Sequence, residues 1–321
     1  MRTAEFVTPK HPDKICDQIS DAILDECLKQ DPMSRVAVET MGGHGIITIT
    51  GEVTTGAHIN IRDIVESVVG QGYGIQSNIV TQSAEIGRGV DIGGAGDQGI
   101  MRGYAVREGD NFMPREYELA RDLCRLIYGK FPFDGKTQVT LDNDGAINTV
   151  VATFQNAPKG ELEGMIEGWL KGKGEGVKIL ANPAGDWSQG GFDADTGVTG
   201  RKLCIDNYGP RFPIGGGAFS GKDSTKVDRS GAYMARKIAI DALLNDPEID
   251  EASVEIAYAI GEVQPVEAVI MTALKSGEKK ISRIEGYDLS PRGIIDMLKL
   301  REPKFRETAE WGHFGNGFIW G

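Results

Sequence analysis

The order of sequence patterns along this chain repeats, and the repeat limits the folds that the chain can adopt. In the first segment, apolar residues recur at four-residue steps over 12–29 and predict an amphipathic helix. A glycine-rich turn then joins two strand-like runs, which is typical of a β-hairpin. The hairpin strands, a second helix and a last strand are predicted at 35–41, 46–54, 59–69 and 79–81.

The same order of helix, hairpin, helix and strand returns after a glycine-rich break at 87–99. The second copy is predicted at 115–128, 137–141, 147–154, 162–170 and 177–180. A third copy begins near Lys226, and its later elements are predicted at 253–260, 266–273 and 291–300. We therefore expect an α+β fold of three similar domains, each a β-sheet with helices on one face.

The three domains are expected at 1–92, 93–190 and 191–321, with allowance for strands exchanged between them. A length of 321 residues agrees with two or three compact units. Helix–hairpin–helix order is also common in unrelated proteins, and the three copies share no residue-level identity. The predicted repeat therefore depends on element order alone.

The charge of the chain excludes some functions. It has 35 basic and 47 acidic side chains, a net charge of −12, so it is not expected to coat nucleic acid, which needs a surplus of cations. No apolar run reaches the roughly 18 residues that a membrane span needs. The four cysteines have no metal-like spacing and, with a polar N-terminus, favour the cytoplasm. Because the chain is acidic overall, a local cluster of cations must hold any anionic ligand.

The strongest local motif is GGGAFSGKD at 215–223, directly before the predicted third-copy helix. Glycine-rich loops let backbone N–H groups converge on phosphate oxygens, and a helix N-terminus adds positive potential. Lys222, Lys226 and Arg229 follow closely, so we predict a phosphate site, although a plain turn is the alternative. Asp223 stands where a Walker A motif needs Ser or Thr, which argues against a standard P-loop enzyme.

Other stretches are weak evidence for a binding site when each is taken alone. HPDK at 11–14, taken alone, is better explained by a helix cap, and GAGDQG at 94–99 is explained equally well by a mobile linker. Cations adjoin glycine in TGRK at 199–202 and DGK at 134–136. Glu39 and Glu52 lie in predicted strands, where an acid is costly unless it faces water, a cation or a metal. Together these residues suit a polyphosphate with a divalent metal.

In order, the stretches HPDKICDQISDAILD, AVET, GEVTT, GAGDQGIM, TGVTGRK, GGGAFSGKDSTKVDRSGAY, YAIG and GHFG resemble the methionine adenosyltransferases, the S-adenosylmethionine synthetase family. The resemblance runs from about residue 9 to residue 315. It implies three similar α+β domains about a pseudo-threefold axis. It also implies active sites between two subunits, and therefore a homodimer, often paired into a homotetramer.

The resemblance implies that the methionine sulfur attacks C5′ of ATP and expels the triphosphate, which is then hydrolysed to diphosphate and phosphate. A thioether is already nucleophilic, so the enzyme must orient the sulfur and stabilise the leaving group. The residues implied to act on the triphosphate or the departing oxygen are His11, Lys136, Arg201, Lys202, Lys222 and Lys226. The wider set implied to bind ATP is His11, Asp134, Lys136, Trp187, Asp195, Arg201, Lys202, Ala218 and Lys222.

The resemblance also implies a methionine site and metal ions. The residues implied to contact methionine are Glu52, Asp97, Asp195, Lys226 and Ile260. Two Mg²⁺ ions per site are implied, with Asp13 and Asp228 as ligands. Glu39 matches the ligand of a K⁺ ion, which orders the site.

Two departures from the family pattern matter. The stretch 86–94 stands where the family has a longer mobile gate loop. We expect the gate's methionine-contacting Gln to have no counterpart there. Asp186-Trp187 replaces a common Arg-Phe pair; Trp187 can still stack on adenine, but Asp186 reverses the charge. Two alternatives to an active synthetase therefore stay open: a triphosphate hydrolase that has lost efficient methionine capture, and a non-catalytic regulatory subunit.

Overall fold

Three four-stranded β-sheets organise residues 1–82 and 93–321, the part of the chain that the computed structural model describes. The strands are β1 (Arg2–Val7), β2 (Arg35–Gly43), β3 (Ile46–Thr54), β4 (Gly74–Val80), β5 (Gly99–Val106), β6 (Gly135–Leu141), β7 (Ile147–Phe154), β8 (Lys178–Ala181), β9 (Gly197–Val198), β10 (Ile249–Tyr258), β11 (Glu267–Leu274) and β12 (Lys279–Arg283). The helices are α1 (Pro12–Gln30), α2 (Ile61–Val69), α3 (Arg115–Tyr128), α4 (Lys159–Leu170), α5 (Leu203–Asp206), α6 (Val227–Asn245), α7 (Pro291–Leu298) and α8 (Phe305–Trp311).

Local chemistry explains where α1 starts. His11 is the N-cap, and its ring Nδ1 accepts a hydrogen bond from the backbone N–H of Asp13. Pro12 occupies the first helical position, where its missing N–H costs nothing. The apolar stripe along the helix, including Ile19 and Ile23, is fully buried. The sequence therefore fixes both the start of α1 and the face that it buries.

Each sheet contains one strand from a distant part of the chain. The first sheet has the order β4-β3-β2-β9, the second β1-β6-β7-β8 and the third β12-β11-β10-β5. The first sheet therefore takes a strand from the last segment, the second from the first segment, and the third from the middle segment. The pairs β3–β4 and β7–β8 are parallel, and the other pairs are antiparallel.

One long helix packs on each sheet and makes one of its faces buried. Helix α1 packs on β2, α3 packs on β1 and β6, and α6 packs on β5 and β10. The opposite faces of the sheets keep apolar side chains in solvent. Exposed examples on the first and third sheets are Met41, Ile46, Val80, Ile100, Met271 and Ile281.

The predicted α+β fold with three helix-covered sheets is confirmed. Helix α3 begins and ends at the predicted residues, and the hairpins β2–β3 and β6–β7 lie where the patterns placed them. Several predicted bounds were wrong: the strand predicted at 79–81 is the seven-residue β4, and the helix predicted at 291–300 ends at Leu298. The patterns missed β1, β5, β12 and α8.

Candidate active site

The start of α1 meets the turn after β9 in a dense group of charges. Lys202 Nζ lies 2.5 Å from Asp13 Oδ2, and Arg201 Nε lies 3.3 Å from Asp13 Oδ1. The backbone N–H of Val198 donates to the same Asp13 Oδ1 at 2.9 Å. With the neighbouring charges that act on His11, these side chains form what we call the amino-terminal cluster: His11, Asp13, Lys136, Asp195, Arg201 and Lys202.

Burial and charge set the protonation of this cluster. Burial, together with the charges of Lys202 and Lys136, lowers the pKa of His11 to about 3, so the ring is neutral at physiological pH. Because Nδ1 accepts the N–H of Asp13, the neutral ring carries its proton on Nε2 and offers it as a donor. Burial would raise the pKa of Asp13, but the bonds from Lys202 and Val198 outweigh it, and the carboxylate stays ionised.

Asp134, one of the implied ATP-binding residues, lies next to this cluster, since the charges of Lys136 and Asp195 act on its carboxyl group. Asp134 accepts the backbone N–H of Gly191 at 3.0 Å, and burial raises the pKa of its carboxyl group. Trp187 lines an open cavity of about 320 Å³ with residues 156–158, 186 and 188. The Asp186 carboxylate accepts the backbone N–H of Lys159 at 2.9 Å, at the first residue of α4. The unusual acid therefore stabilises a helix N-terminus, which accounts for its charge without any ligand.

A second group of charges surrounds the glycine-rich loop. Lys222 Nζ lies 2.6 Å from Asp228 Oδ2, and Lys226 Nζ lies 2.5 Å from Asp223 Oδ2. Lys222 also attracts Glu39 on β2, although burial raises the pKa of that carboxyl group. We call this group the glycine-loop cluster: Glu39, Lys222, Asp223, Lys226 and Asp228.

One predicted phosphate ligand is excluded by the structure. Arg229 is fully buried, and its two terminal nitrogens bond to the two oxygens of Asp21 at 2.7 and 2.8 Å. The prediction that it faces a phosphate was therefore wrong. The neighbouring Asp223 also has a structural role, because it accepts the backbone N–H of Val36 at 2.7 Å.

Two of the implied methionine residues, Glu52 and Ile260, lie on or beside the outer surfaces of the sheets, whereas Lys226 is buried at the start of α6. Glu52 is on β3, on the same face as Glu39 of β2, and Ile260 follows β10 and is 55% exposed. The turn that carries Asp97 is tied to the residues after Ile260 by two backbone hydrogen bonds of 2.8 Å, between Ala95 and residues 261–262. Residues 94–99 are therefore held to the third sheet, so a free linker does not describe them.

The remaining implied ligands join one group or the other. Asp195 belongs with the amino-terminal cluster, since its charge acts on His11. Ala218 lies against Gly200, where an added Cβ would be 2.6 Å from the Ala218 Cβ. Within residues 1–82 and 93–321, no ion pair joins the amino-terminal cluster to the glycine-loop cluster.

The predicted short gate lies almost wholly outside the residues that the structure describes. The short stretch predicted to replace the gate loop falls on residues 86–94, of which 86–92 lie outside the described residues. Among the described residues, no three or more Cys, His, Asp or Glu side chains group as a metal centre would require. In the same part of the chain, no helix is long and apolar enough to cross a bilayer.

Beneath the amino-terminal cluster, one buried lysine faces two buried carboxylates. Lys14 Nζ lies 2.5 Å from Asp206 Oδ2 and 4.0 Å from Asp17 Oδ2. Burial raises the pKa of both carboxyl groups, and for Asp17 the pKa rises to about 8. Since Lys14 contacts Asp206, we infer that Asp17 carries the proton at neutral pH.

The buried proton on Asp17 gives a testable pH dependence of stability. Between pH 4 and 8 the folded chain holds a proton that the unfolded chain has lost, so this group destabilises the fold as pH rises. Asp17→Asn cannot titrate, and its free energy of unfolding should gain about 2 kcal/mol relative to wild type between pH 6 and pH 8. Urea denaturation at both pH values measures the difference. Parallel curves for the two proteins would contradict a raised Asp17 pKa.

Comparisons with known proteins cover nearly the whole chain. The N-terminal, central and C-terminal domain models of S-adenosylmethionine synthetase match residues 1–89, 92–172 and 189–321. An S-adenosylmethionine synthase of Fusobacterium nucleatum is 42% identical, with 98% of this chain and 92% of the relative aligned. One of Pseudothermotoga lettingae is 41% identical over 99% of this chain and 95% of its own length. An S-adenosylmethionine synthase 1 of Rhodospirillum rubrum is 41% identical over 99% and 94%. From these matches over all three sheets, the chain belongs to the S-adenosylmethionine synthetase family.

Proposed function

We propose that the amino-terminal cluster of one subunit and the glycine-loop cluster of its partner enclose one ATP and one methionine. The reaction of the chain is the synthesis of S-adenosylmethionine from these two substrates, by transfer of the adenosyl group to sulfur. The observation that carries the assignment of residues is the pair of matching contacts Lys202–Asp13 and Lys222–Asp228. Each places a cation and a carboxylate together beside a glycine turn, as a polyphosphate with a divalent metal requires.

The chemistry needs cations more than it needs a base. The sulfur lone pair forms the new bond to C5′ while the C5′–O bond breaks, and the electron pair leaves with the triphosphate. Lys136, Arg201 and Lys202 then stabilise the growing negative charge on that leaving group from one side, and Lys222 from the other. His11, neutral with its proton on Nε2, donates a hydrogen bond to the departing oxygen. Lys226 is more buried than Lys222, and we assign it to the boundary between triphosphate and methionine.

The nucleoside and methionine contacts complete the assignment. Trp187 stacks on the adenine beside the open cavity, while Asp134 and Ala218 contact the nucleotide. Asp97, Glu52 and Ile260 contact methionine, and Asp195 touches both substrates. Glu52 and Ile260 lie on surfaces that a second subunit would cover, which agrees with a shared site.

The carboxylates fit the implied metal ions. Mg²⁺ keeps several waters and is usually held by one or two protein carboxylates plus substrate phosphates, so lone carboxylates such as Asp13 and Asp228 suffice. Mg²⁺ bound there would neutralise charge on the triphosphate. Glu39 offers a hard oxygen on the outer face of β2, where K⁺ would order the neighbouring strands.

The outer faces of the sheets support a homodimer. Lys136 on β6 and Glu39 and Glu52 on the first sheet all lie on faces opposite the packed helices. The same faces of the first and third sheets expose Met41, Ile46, Val80, Ile100, Met271 and Ile281. Apolar patches of this kind mark protein interfaces, so we propose that a second copy covers them and that pairs of dimers form tetramers. The four unpaired cysteines favour the cytoplasm.

Product analysis tests this function. The purified protein, given ATP, methionine, Mg²⁺ and K⁺, should form S-adenosylmethionine, diphosphate and phosphate in equal amounts by mass spectrometry and phosphate assay. Phosphate release without S-adenosylmethionine would indicate a triphosphate hydrolase. Absence of both products would indicate a regulatory subunit.

The short gate predicts weak methionine capture. The family gate begins with a Gln-Ser-Pro-Asp-Ile motif, and the stretch QSAEI at 82–86 matches it, so the prediction that the Gln has no counterpart is wrong. The stretch after this motif is shorter than the family gate, so the methionine KM should still exceed that of an enzyme with a full gate. A chimera with a full-length family gate inserted between Gly87 and Gly93 should lower the methionine KM and leave the ATP KM nearly unchanged. It should also lower the phosphate released per S-adenosylmethionine formed, because a closed gate excludes water. If it improves neither value, another segment serves as the gate.

A further inference from the structure

Four aspartates project from α1 at four-residue steps, and all four are buried. Each accepts backbone N–H groups from a segment far along the chain. Asp13 binds Val198, Asp17 binds Gly200 and Asp21 binds Gly221, while Asp25 binds the first residues of α8 and the residue before it. We call Asp13, Asp17, Asp21 and Asp25 the α1 carboxylate row.

The two middle carboxylates make equivalent contacts. Asp17 Oδ1 accepts the N–H of Gly200, and Asp21 Oδ1 accepts the N–H of Gly221, both at 2.8 Å. Both glycines have left-handed backbone, with φ of 82° and 81°. Such a conformation favours glycine, and a hydrogen bond to a buried carboxyl oxygen holds it in place.

Each of these glycines directly precedes cations that we assign to the triphosphate. Gly200 is followed by Arg201 and Lys202, and Gly221 by Lys222. The direction in which these side chains leave the backbone therefore depends on the φ of the preceding glycine. Asp17 and Asp21 lie four residues apart on one rigid helix, about 6 Å along its axis, so α1 sets the relative position of both turns.

We propose that Asp17 and Asp21 are positioning residues for catalysis, which hold the two cation-bearing turns through the N–H groups of Gly200 and Gly221. The proposal rests on the proposed function, because it takes Arg201, Lys202 and Lys222 as triphosphate ligands. Asp21 also pairs with the buried Arg229, so its replacement would disturb the core. Asp17 is therefore the member whose role can be measured.

The α1 carboxylate row contains its own matched control. Asp25 lies on the same helix, is buried and accepts the N–H groups of residues 304–306 at 2.9–3.0 Å. Its bonds hold the start of α8, which carries none of the proposed substrate ligands. Loss of the Asp25 carboxylate should therefore reduce stability without reducing the activity of each folded molecule.

The experiment compares Asp17→Leu, Asp17→Asn and Asp25→Leu in the full-length protein. Leucine keeps the branching of the aspartate side chain, is larger and removes the acceptor, so Asp25→Leu controls for the added bulk. Asparagine keeps an oxygen for the Gly200 N–H. Asp17→Leu should lower kcat per folded dimer by about ten-fold to a hundred-fold and leave the methionine KM within about two-fold. Asp17→Asn should restore most of kcat. Asp25→Leu should lower the melting temperature and keep kcat.

Three outcomes would overturn the proposal. They are an Asp17→Leu protein that keeps the kcat of wild type, an equal loss of kcat in Asp17→Leu and Asp25→Leu, and an inactive Asp17→Asn protein that is folded. The Asp17→Asn result tests the proposal even if Asp17→Leu does not fold. The variant Lys202→Met separates this proposal from the proposed function. If Lys202→Met stays active, the assignment of the cation-bearing turn is wrong. If Lys202→Met is inactive and Asp17→Leu is active, the positioning role is refuted and the proposed function stands.

Discussion

Replacing Lys222 by Met is expected to slow S-adenosylmethionine formation by about a hundred-fold to a thousand-fold, while the protein stays folded. The change removes a charge that we assign to the leaving triphosphate, and groups that stabilise transition-state charge are worth this much in other enzymes. The Lys222–Asp228 pair is partly exposed, so its loss should cost little stability. Asp228→Asn should have a similar effect, since it removes the implied Mg²⁺ ligand. Single-turnover rates at saturating ATP and methionine measure the chemical step.

Helix α6 supplies a control for both variants. Lys237 and Asp241 form an ion pair of the same 2.6 Å length, with side chains that are also partly exposed. Lys237→Met should therefore match Lys222→Met in stability and keep wild-type turnover. Near-normal turnover in Lys222→Met or Asp228→Asn would refute the assigned role of that residue.

Two inactive variants are expected to restore activity when they share a dimer. If each active site combines the amino-terminal cluster of one chain with the glycine-loop cluster of the other, a dimer of one Lys202→Met and one Lys222→Met subunit has one intact site. Random assembly of equal amounts makes about half of the dimers mixed, and each has one intact site of two. The mixture should therefore reach about a quarter of wild-type activity, although each variant alone is nearly inactive.

The mixture must be unfolded and refolded together, or the two chains co-expressed, so that subunits exchange. Dilution of the wild-type protein below its dimer dissociation constant should also abolish activity. No recovery of activity in a mixture whose mixed dimers are demonstrated by mass spectrometry would place both clusters in a single-chain site. Full specific activity in a proven monomer would do the same.

The fold could be predicted where structure is local. Helix α3 has a regular apolar face over fourteen residues, so its period alone placed both ends. Strand β1 was missed because it has only six residues and its partner is distant: Arg2 pairs with Leu141 across the second sheet. Nothing near β1 in the sequence encodes that pairing, because long-range contacts decide it.

The site residues were also predictable only where a local motif marks them. The glycine-rich motif pointed to Lys222 and the family resemblance to Asp228, and the two form an ion pair. The motif gave Arg229 the same weight as Lys222. Only packing separates the two cations, because Arg229 turns inward to Asp21. The α1 carboxylate row was missed too, although its four-residue spacing is visible in the sequence. The signal available in α1 was the recurrence of acids at the same four-residue step as its apolar stripe.

The exchange of strands among the sheets has a consequence for how the protein is made. A nascent chain leaving the ribosome cannot complete its first sheet until β9, at Gly197–Val198, has been synthesised. Strand β1 must likewise wait for β6, and β5 for β10. Early segments therefore emerge with unpaired strand edges, which invite pairing with other chains. We expect ribosome-bound chains that end before β9 to depend on chaperones, and none of the three sheets to form a stable unit when its segment is expressed alone.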